Sequence, residues 1–211
     1  MLEWSEQIDV GKVPENGTNF DVIVVGGGPG GSAAASYHSM NGQKVLLLEK
    51  EIWPRDKICG DAVGGKSLRH VKELGVKTMI EATPHFRVDS ILMSSSNGTE
   101  VKIELPKEAF EKMEAGYSLP RIQFDYMMFK RATEILHENG GYVMQGFSVT
   151  DVKIETEGSV QKIIGIGGKT KDEESMTFSA PLTIGAGGYN CPVAKTITET
   201  VYDEPMRDIE H

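Results

Sequence analysis

The 211-residue chain is poor in cysteine, in long apolar runs and in basic charge, and each shortage excludes a class of function. Only Cys59 and Cys191 occur, with no C-x-x-C pair and no His/Cys cluster at metal spacing, so neither a metal site nor a disulfide framework is indicated. That usage suits a reducing, cytoplasmic compartment. No stretch reaches the roughly 18 apolar residues of a membrane helix, and the N-terminal MLEWSEQIDVGKVPENGTN is too polar for a signal peptide. Twenty-two lysines and arginines stand against 31 aspartates and glutamates, a net charge of −9, which argues against nucleic acid as a partner and against a basic membrane patch. Of His38, His70, His85, His137 and His211, none has a partner at catalytic spacing, so no general-base histidine is supported. There is no internal repeat and no low-complexity tract. Residues 1 to 19 are expected to be a mobile leader.

Glycine, by contrast, is plentiful at 24 residues, and its most informative cluster lies between Phe20 and Lys50. Val22 to Val25 is an apolar, β-branched run that reads as a strand buried on both faces, as in a parallel sheet. Gly26, Gly28 and Gly31 then fit G-x-G-x-x-G, in which glycine permits a tight turn, a close backbone approach to a pyrophosphate and close helix-on-strand packing. Ser32 to Ala35 open a helix with small residues, leaving its N-terminal N–H groups to face an anion. A second strand, Val45 to Leu48, ends at Glu49, at about the 20-residue distance past the glycines expected of a ribose-binding acid. Strand, turn, helix, strand and acid together predict a dinucleotide site. The carboxylate would repel a 2′-phosphate, which favours FAD or NAD(H) over NADP(H).

Beyond this unit, Glu51 to Asp61 reads as a loop leaving the carboxyl end of the second strand, where ligands sit in open α/β sheets. An amphipathic helix is expected over residues 66–74, stopped by Gly75. A β-hairpin around Asn97-Gly98, from Arg87 to Leu105, should bury one face. A helix from Gln123 to Asn139, a short strand at Tyr142 to Gln145, and a β-meander from Phe147 to Phe178 follow. Pro181 to Asn190 reads as a buried strand entering a second glycine turn, which brings the chain back to the nucleotide site.

A simple NAD-binding domain would continue βαβαβ after its second strand. This chain instead leaves for a Cys-Gly-Asp loop, a hairpin, a helix and a meander. In that order of parts, and in DVIVVGGGPGGS, LLLEK, DKICGDAV, LPRIQFD and LTIGAGGYN, it resembles FAD-dependent oxidoreductases of the hydroxybenzoate-hydroxylase type and, among them, the geranylgeranyl reductase family. The fold implied is α/β: a Rossmann-like FAD-binding domain with a parallel sheet and an antiparallel β-meander, plus part of an antiparallel substrate-domain sheet. Residues 20–85 and 121–211 would form the FAD-binding domain, and residues 86–120 a partial substrate-binding hairpin region. The resemblance implies that Gly26, Gly28, Pro29, Gly30 and Gly31 hold the FAD pyrophosphate, and that Glu49, with neighbouring Lys50, serves the adenosine ribose. It sets Arg121 near the ribityl phosphate, Cys59, Gly60 and Asp61 beside the isoalloxazine ring, Val149 against the adenine through its backbone, and Gly187 in the second glycine turn. Gly187-Gly188 departs from the Asp-Gly usual in that turn. Family members run to roughly twice this length.

Several residues keep a plainer alternative. Cys59 is either a buried thiol or, in its polar loop at a ligand-facing strand end, a candidate catalytic group. Asp61 is either a cofactor contact or a cap for the helix that follows it. Arg121, after a proline, is either a surface charge or a phosphate partner. The function implied by the resemblance is hydride transfer from reduced FAD to C=C bonds of prenyl (isoprenoid) lipid chains, with an external electron donor, NAD(P)H or ferredoxin, and a peripheral membrane contact through the lipid. A flavin-dependent monooxygenase or halogenase of the same fold, or an FAD-binding module without turnover, are the alternatives.

Overall fold

The structure, a computed structural model, describes residues 6–105, 108 and 116–200. The chain divides into two units, one formed by Asp56–Met127 and the other by Glu6–Arg55 with the chain from Met128 onward.

The larger unit is built on a four-stranded parallel sheet. Strand β1 (Val22–Val25) lies at its middle, flanked by β12 (Leu182–Gly185) on one side and β2 (Val45–Leu48) and then β8 (Tyr142–Met144) on the other. All eight residues of β1 and β2 are buried, which explains their unbroken apolar sequence: a sheet covered on both faces has no solvent side to alternate with. The side chains of Ile23, Val25, Leu46 and Leu48 enter one core with Phe147, Ile166, Met176 and Phe178 of the meander. Val22, Val24, Val45 and Leu47 take the opposite face, where helix α1 (Pro29–Met40) packs. The meander comprises β9 (Phe147–Glu157), β10 (Val160–Thr170) and β11 (Ser175–Ser179), all antiparallel, with register shifts after Ile163 and Gly167.

The smaller unit holds a three-stranded antiparallel sheet of β3 (Ala62–Val63), β7 (Tyr117–Ser118) and β4 (Phe86–Arg87), together with a separate hairpin of β5 (Ser90–Ser94) and β6 (Glu100–Glu104). Two short helices, α2 (Ser67–Glu73) and α3 (Val76–Glu81), meet at Gly75, whose φ of +79° suits a residue without Cβ. The expected single helix therefore has an unforeseen successor. Val76 and Ile80 are buried one turn apart, too short a repeat for periodicity to reveal. The long helix α4 (Arg121–Glu138) spans the boundary between the units, and α5 (Pro192–Thr200) closes the described chain.

One expectation is corrected. The hairpin around Asn97-Gly98 forms, with Ile91 opposite Ile103 and Met93 opposite Val101, but its apolar face is not buried. Those four residues are 47 to 60% exposed. Of the segment expected as a mobile leader, residues 1–5 lie outside the described residues, and from Ile8 on it hydrogen-bonds to other parts of the larger unit. Gln145 Nε2 donates to the Ile8 carbonyl at 2.9 Å, His137 Nε2 lies 2.9 Å from the Val10 carbonyl, and the Thr177 N–H donates to Asn16 Oδ1 at 2.8 Å. A polar sequence can be tied down through its backbone carbonyls and a single amide side chain, a possibility that its hydropathy does not display.

No described helix is long and apolar enough to cross a membrane.

Candidate functional site

In the larger unit the chain turns from β1 into α1 through glycines that serve two separate purposes. A Cβ on Gly31 would lie 1.8 Å from the Gly26 carbonyl oxygen, one on Gly26 would lie 2.4 Å from the Ala186 oxygen, and one on Gly27 would strike the Phe129 ring at 2.6 Å. These three are required by packing. A Cβ on Gly30 would meet nothing within 4 Å, and one on Gly28 would meet only Arg55 Nη2 at 3.7 Å, so both line the open side of the turn. Gly28 is the N-cap of α1 with extended backbone and no side-chain cap, Pro29 opens the helix, and no acid occupies the first turn. The first-turn N–H groups of a helix lack intrahelical partners and carry its partial positive charge, so this open side is chemically suited to an anion.

Glu49 holds the turn from beneath. It is 5% exposed; its Oε2 accepts the Gly27 N–H at 2.8 Å and its Oε1 accepts the Glu51 N–H at 3.0 Å. Arg55 Nη2 stands 3.8 Å from the same Oε2. A carboxylate has about four acceptor positions, so two protein N–H groups leave capacity for ligand hydroxyls. The second glycine turn arrives alongside: the Ala186 N–H donates to the Val25 carbonyl at 2.8 Å, and Gly187 packs against Cys191, which is buried. Lys50 is exposed beside Glu51, at 3.8 Å. Val149 lies opposite Gly168 in the meander, half-buried against the core. The structure thus gathers Gly26, Gly28, Pro29, Gly30, Gly31, Glu49 and Gly187 at the carboxyl ends of β1, β2 and β12.

Sequence reasoning missed Arg55 and Trp53. Trp53 is fully buried, stacked on Phe129 at 5.1 Å between ring centroids, and the Arg55 guanidinium lies 4.3 Å above its ring. The available signal was modest: an arginine after Trp-Pro, in the loop that leaves the carboxyl end of β2.

In the smaller unit Asp61 and Arg121 meet. Asp61 Oδ1 accepts the Arg121 backbone N–H at 3.0 Å, and the Asp61 carbonyl accepts the Leu119 N–H at 3.0 Å. Asp61 is therefore a helix cap, but for α4, whose first residue lies 60 positions downstream, and not for α2, whose N-cap is Lys66. Its negative charge sits at the positive end of that helix. The Arg121 Nε donates to Asp125 Oδ1 at 2.8 Å, with Asp125 buried. Burial by itself would lower the Arg121 pKa; the Asp125 hydrogen bond and charge, with Cys59 adding the same effect, hold it above its ordinary value. Cys59 is exposed and next to this guanidinium, so the plain buried-thiol alternative does not apply. Gly60 has open space around it. Among the described residues there is no group of three or more His, Cys, Asp or Glu side chains that could hold a metal ion.

Residues 19–210 match the family described as FAD binding domain. The chain belongs to that family. Its cofactor is FAD, and the open, uncapped, acid-free turn at Gly28 and Gly30 is compatible with the diphosphate of that molecule. Menaquinone reductase of Mycolicibacterium smegmatis is 30% identical over 153 residues, 72% of this chain and 35% of that protein. Digeranylgeranylglycerophospholipid reductase 1 of Methanothermobacter thermautotrophicus is 32% identical over 188 residues, 84% of this chain and 41% of that protein. The chain thus spans between a third and a half of the length of these relatives. Among solved structures, the FAD-dependent chondrochloren halogenase of a myxobacterium superposes with a TM-score of 0.70 at 24% identity, covering 82% of this chain and 38% of that one, which shows the fold.

Proposed function

We propose that this chain is the FAD-binding portion of a reductase that saturates C=C bonds of prenyl lipid chains. Support comes from the 32% identity to a digeranylgeranylglycerophospholipid reductase over most of the chain. The observation that carries the reading is the Cys59-Gly60-Asp61 loop, anchored through Asp61 on the N-terminus of α4 with its thiol exposed beside Arg121. When bound and reduced, FAD would supply the hydride, and an acid the proton, that together add across a prenyl double bond. The chain's own residues bind and orient. Gly28, Pro29 and Gly30 offer the helix end to the diphosphate, joined by the Arg55 guanidinium; Glu49 accepts from the adenosine ribose while holding Gly27; Lys50, Val149 and Gly187 border the adenosine side. Arg121 and Asp61 hold the Cys59-Gly60-Asp61 loop, on which Cys59 is the candidate catalytic group.

The electrons would come from an external donor, NAD(P)H or ferredoxin, and the lipid would bring a peripheral membrane contact. The test follows hydrogen added across the double bonds of a geranylgeranyl lipid by mass spectrometry, with dithionite as donor. It is run on the chain alone and with the remaining C-terminal portion of such a reductase supplied. Saturated product in the second case is expected. Absence of product together with fast oxygen consumption by the reduced protein would replace this reading with a monooxygenase or halogenase.

A further inference from the structure

The Trp53 indole carries an apparent contradiction. It is fully buried, stacked on Phe129 with 23° between the ring planes, and its Nε1–H has no hydrogen-bond partner among the described residues. An unpaired buried donor is unfavourable, and a phenylalanine in this slot would pack against Phe129 without that penalty. What tryptophan adds is the most strongly cation-attracting ring face among the side chains. That face is in use: the Arg55 guanidinium lies 4.3 Å above it, on a side chain only 12% exposed. The same indole stacks on Phe129, whose own ring would collide with any Cβ on Gly27. The stack is therefore wedged against the glycine turn.

We infer that Trp53 is a positioning residue for FAD, acting through Arg55: its ring face fixes the guanidinium over the open side of the turn at Gly28. The inference rests on the proposed phosphate role of Arg55. Held between Trp53, Glu49 Oε2 at 3.8 Å and the open side of Gly28, the arginine has little conformational freedom left to lose when a diphosphate arrives. Preorganisation of this kind raises affinity by lowering the ordering penalty. A flexible arginine would bring the same charge and a weaker hold.

The experiment replaces Trp53 by a series of fluorinated tryptophans, which keep the ring's shape and progressively weaken its negative face. Trp4→Phe serves as background, so that position 53 is the sole tryptophan. FAD affinity is measured by calorimetry and apoprotein melting by circular dichroism. The FAD dissociation constant is expected to rise stepwise with fluorine content, by roughly three- to tenfold across the series, as for a partly desolvated cation–π contact, with apoprotein melting unchanged. With Arg55→Met present, the same series should change affinity by less than about twofold. A flat series in the Arg55 protein, or an equal rise in both backgrounds, overturns the role of Trp53. If Arg55→Met alone binds FAD as tightly as the parent, the phosphate role of Arg55 is overturned and that of Trp53 with it.

Discussion

Substituting alanine at Gly28 and at Gly31 should separate the glycines that hold the fold from those that receive the cofactor. At Gly31 the added Cβ would lie 1.8 Å from the Gly26 carbonyl oxygen, backbone against backbone, with the Ala186 Cβ only 3.1 Å away on another side. No side chain can swing aside, so α1 must move off the sheet by more than an ångström. Overpacking usually costs 1–3 kcal/mol, and a rigid clash belongs at or above the upper end, about 3 kcal/mol. In a domain of this size that lowers the melting temperature by about 6–12 °C. At Gly28 the nearest atom to a new Cβ is Arg55 Nη2 at 3.7 Å, and the backbone, at φ −68°, is allowed to any residue. The apoprotein should then melt within about 2 °C of the parent, as expected where a substitution neither clashes nor strains the backbone. The new methyl group would stand between the backbone and the diphosphate, so FAD affinity should fall by at least about tenfold, or 1.4 kcal/mol. Melting of the two apoproteins by circular dichroism and FAD titration by calorimetry read both effects. Parental melting in Gly31→Ala, or parental FAD affinity in Gly28→Ala, would refute the division.

Glu49→Ala leaves the Gly27 and Glu51 N–H groups without their acceptor, so it should lower apoprotein stability by about 2–4 kcal/mol in denaturant melts and weaken FAD as well. A loss of FAD affinity with unchanged stability would show that those two bonds are dispensable. Asp61→Ala should destabilise by about 1 kcal/mol through loss of the cap on α4, with Asp61→Asn recovering most of it, because the asparagine oxygen can still accept the Arg121 N–H. Equal melting of the alanine variant and the parent would contradict the capping role. Cys59→Ser, at an exposed position, should leave stability within about 0.5 kcal/mol while altering turnover or the choice of double bond in the active reductase. A large loss of stability with unchanged activity would make Cys59 structural. Finally, Ile91→Thr with Val101→Thr on the exposed hairpin face should leave melting nearly unchanged and reduce concentration-dependent association seen by light scattering, since exposed apolar ribbons are adhesive. Unchanged association would exclude that face.

The parts of this protein that were readable along the chain are those whose physics is local. Val22–Val25 and Val45–Leu48 announce strands covered on both faces because every residue in them is apolar, and the turn at Gly26 follows from glycine spacing alone. The meander could be read from alternation between polar turns. Tertiary structure decided which groups meet across long separations. It gave Asp61 a helix 60 residues away to cap, turned Glu49 towards Gly27 and Glu51, and laid Arg55 on Trp53 over Phe129. It also tied residues 8–20 to Gln145, Thr177 and Ser179, and left the face of the β5–β6 hairpin open. Hydropathy records whether a residue prefers water and periodicity records which residues share a face. Neither records which distant backbone N–H a carboxylate will accept or which ring a guanidinium will lie on, because those pairings exist only once the chain has closed on itself.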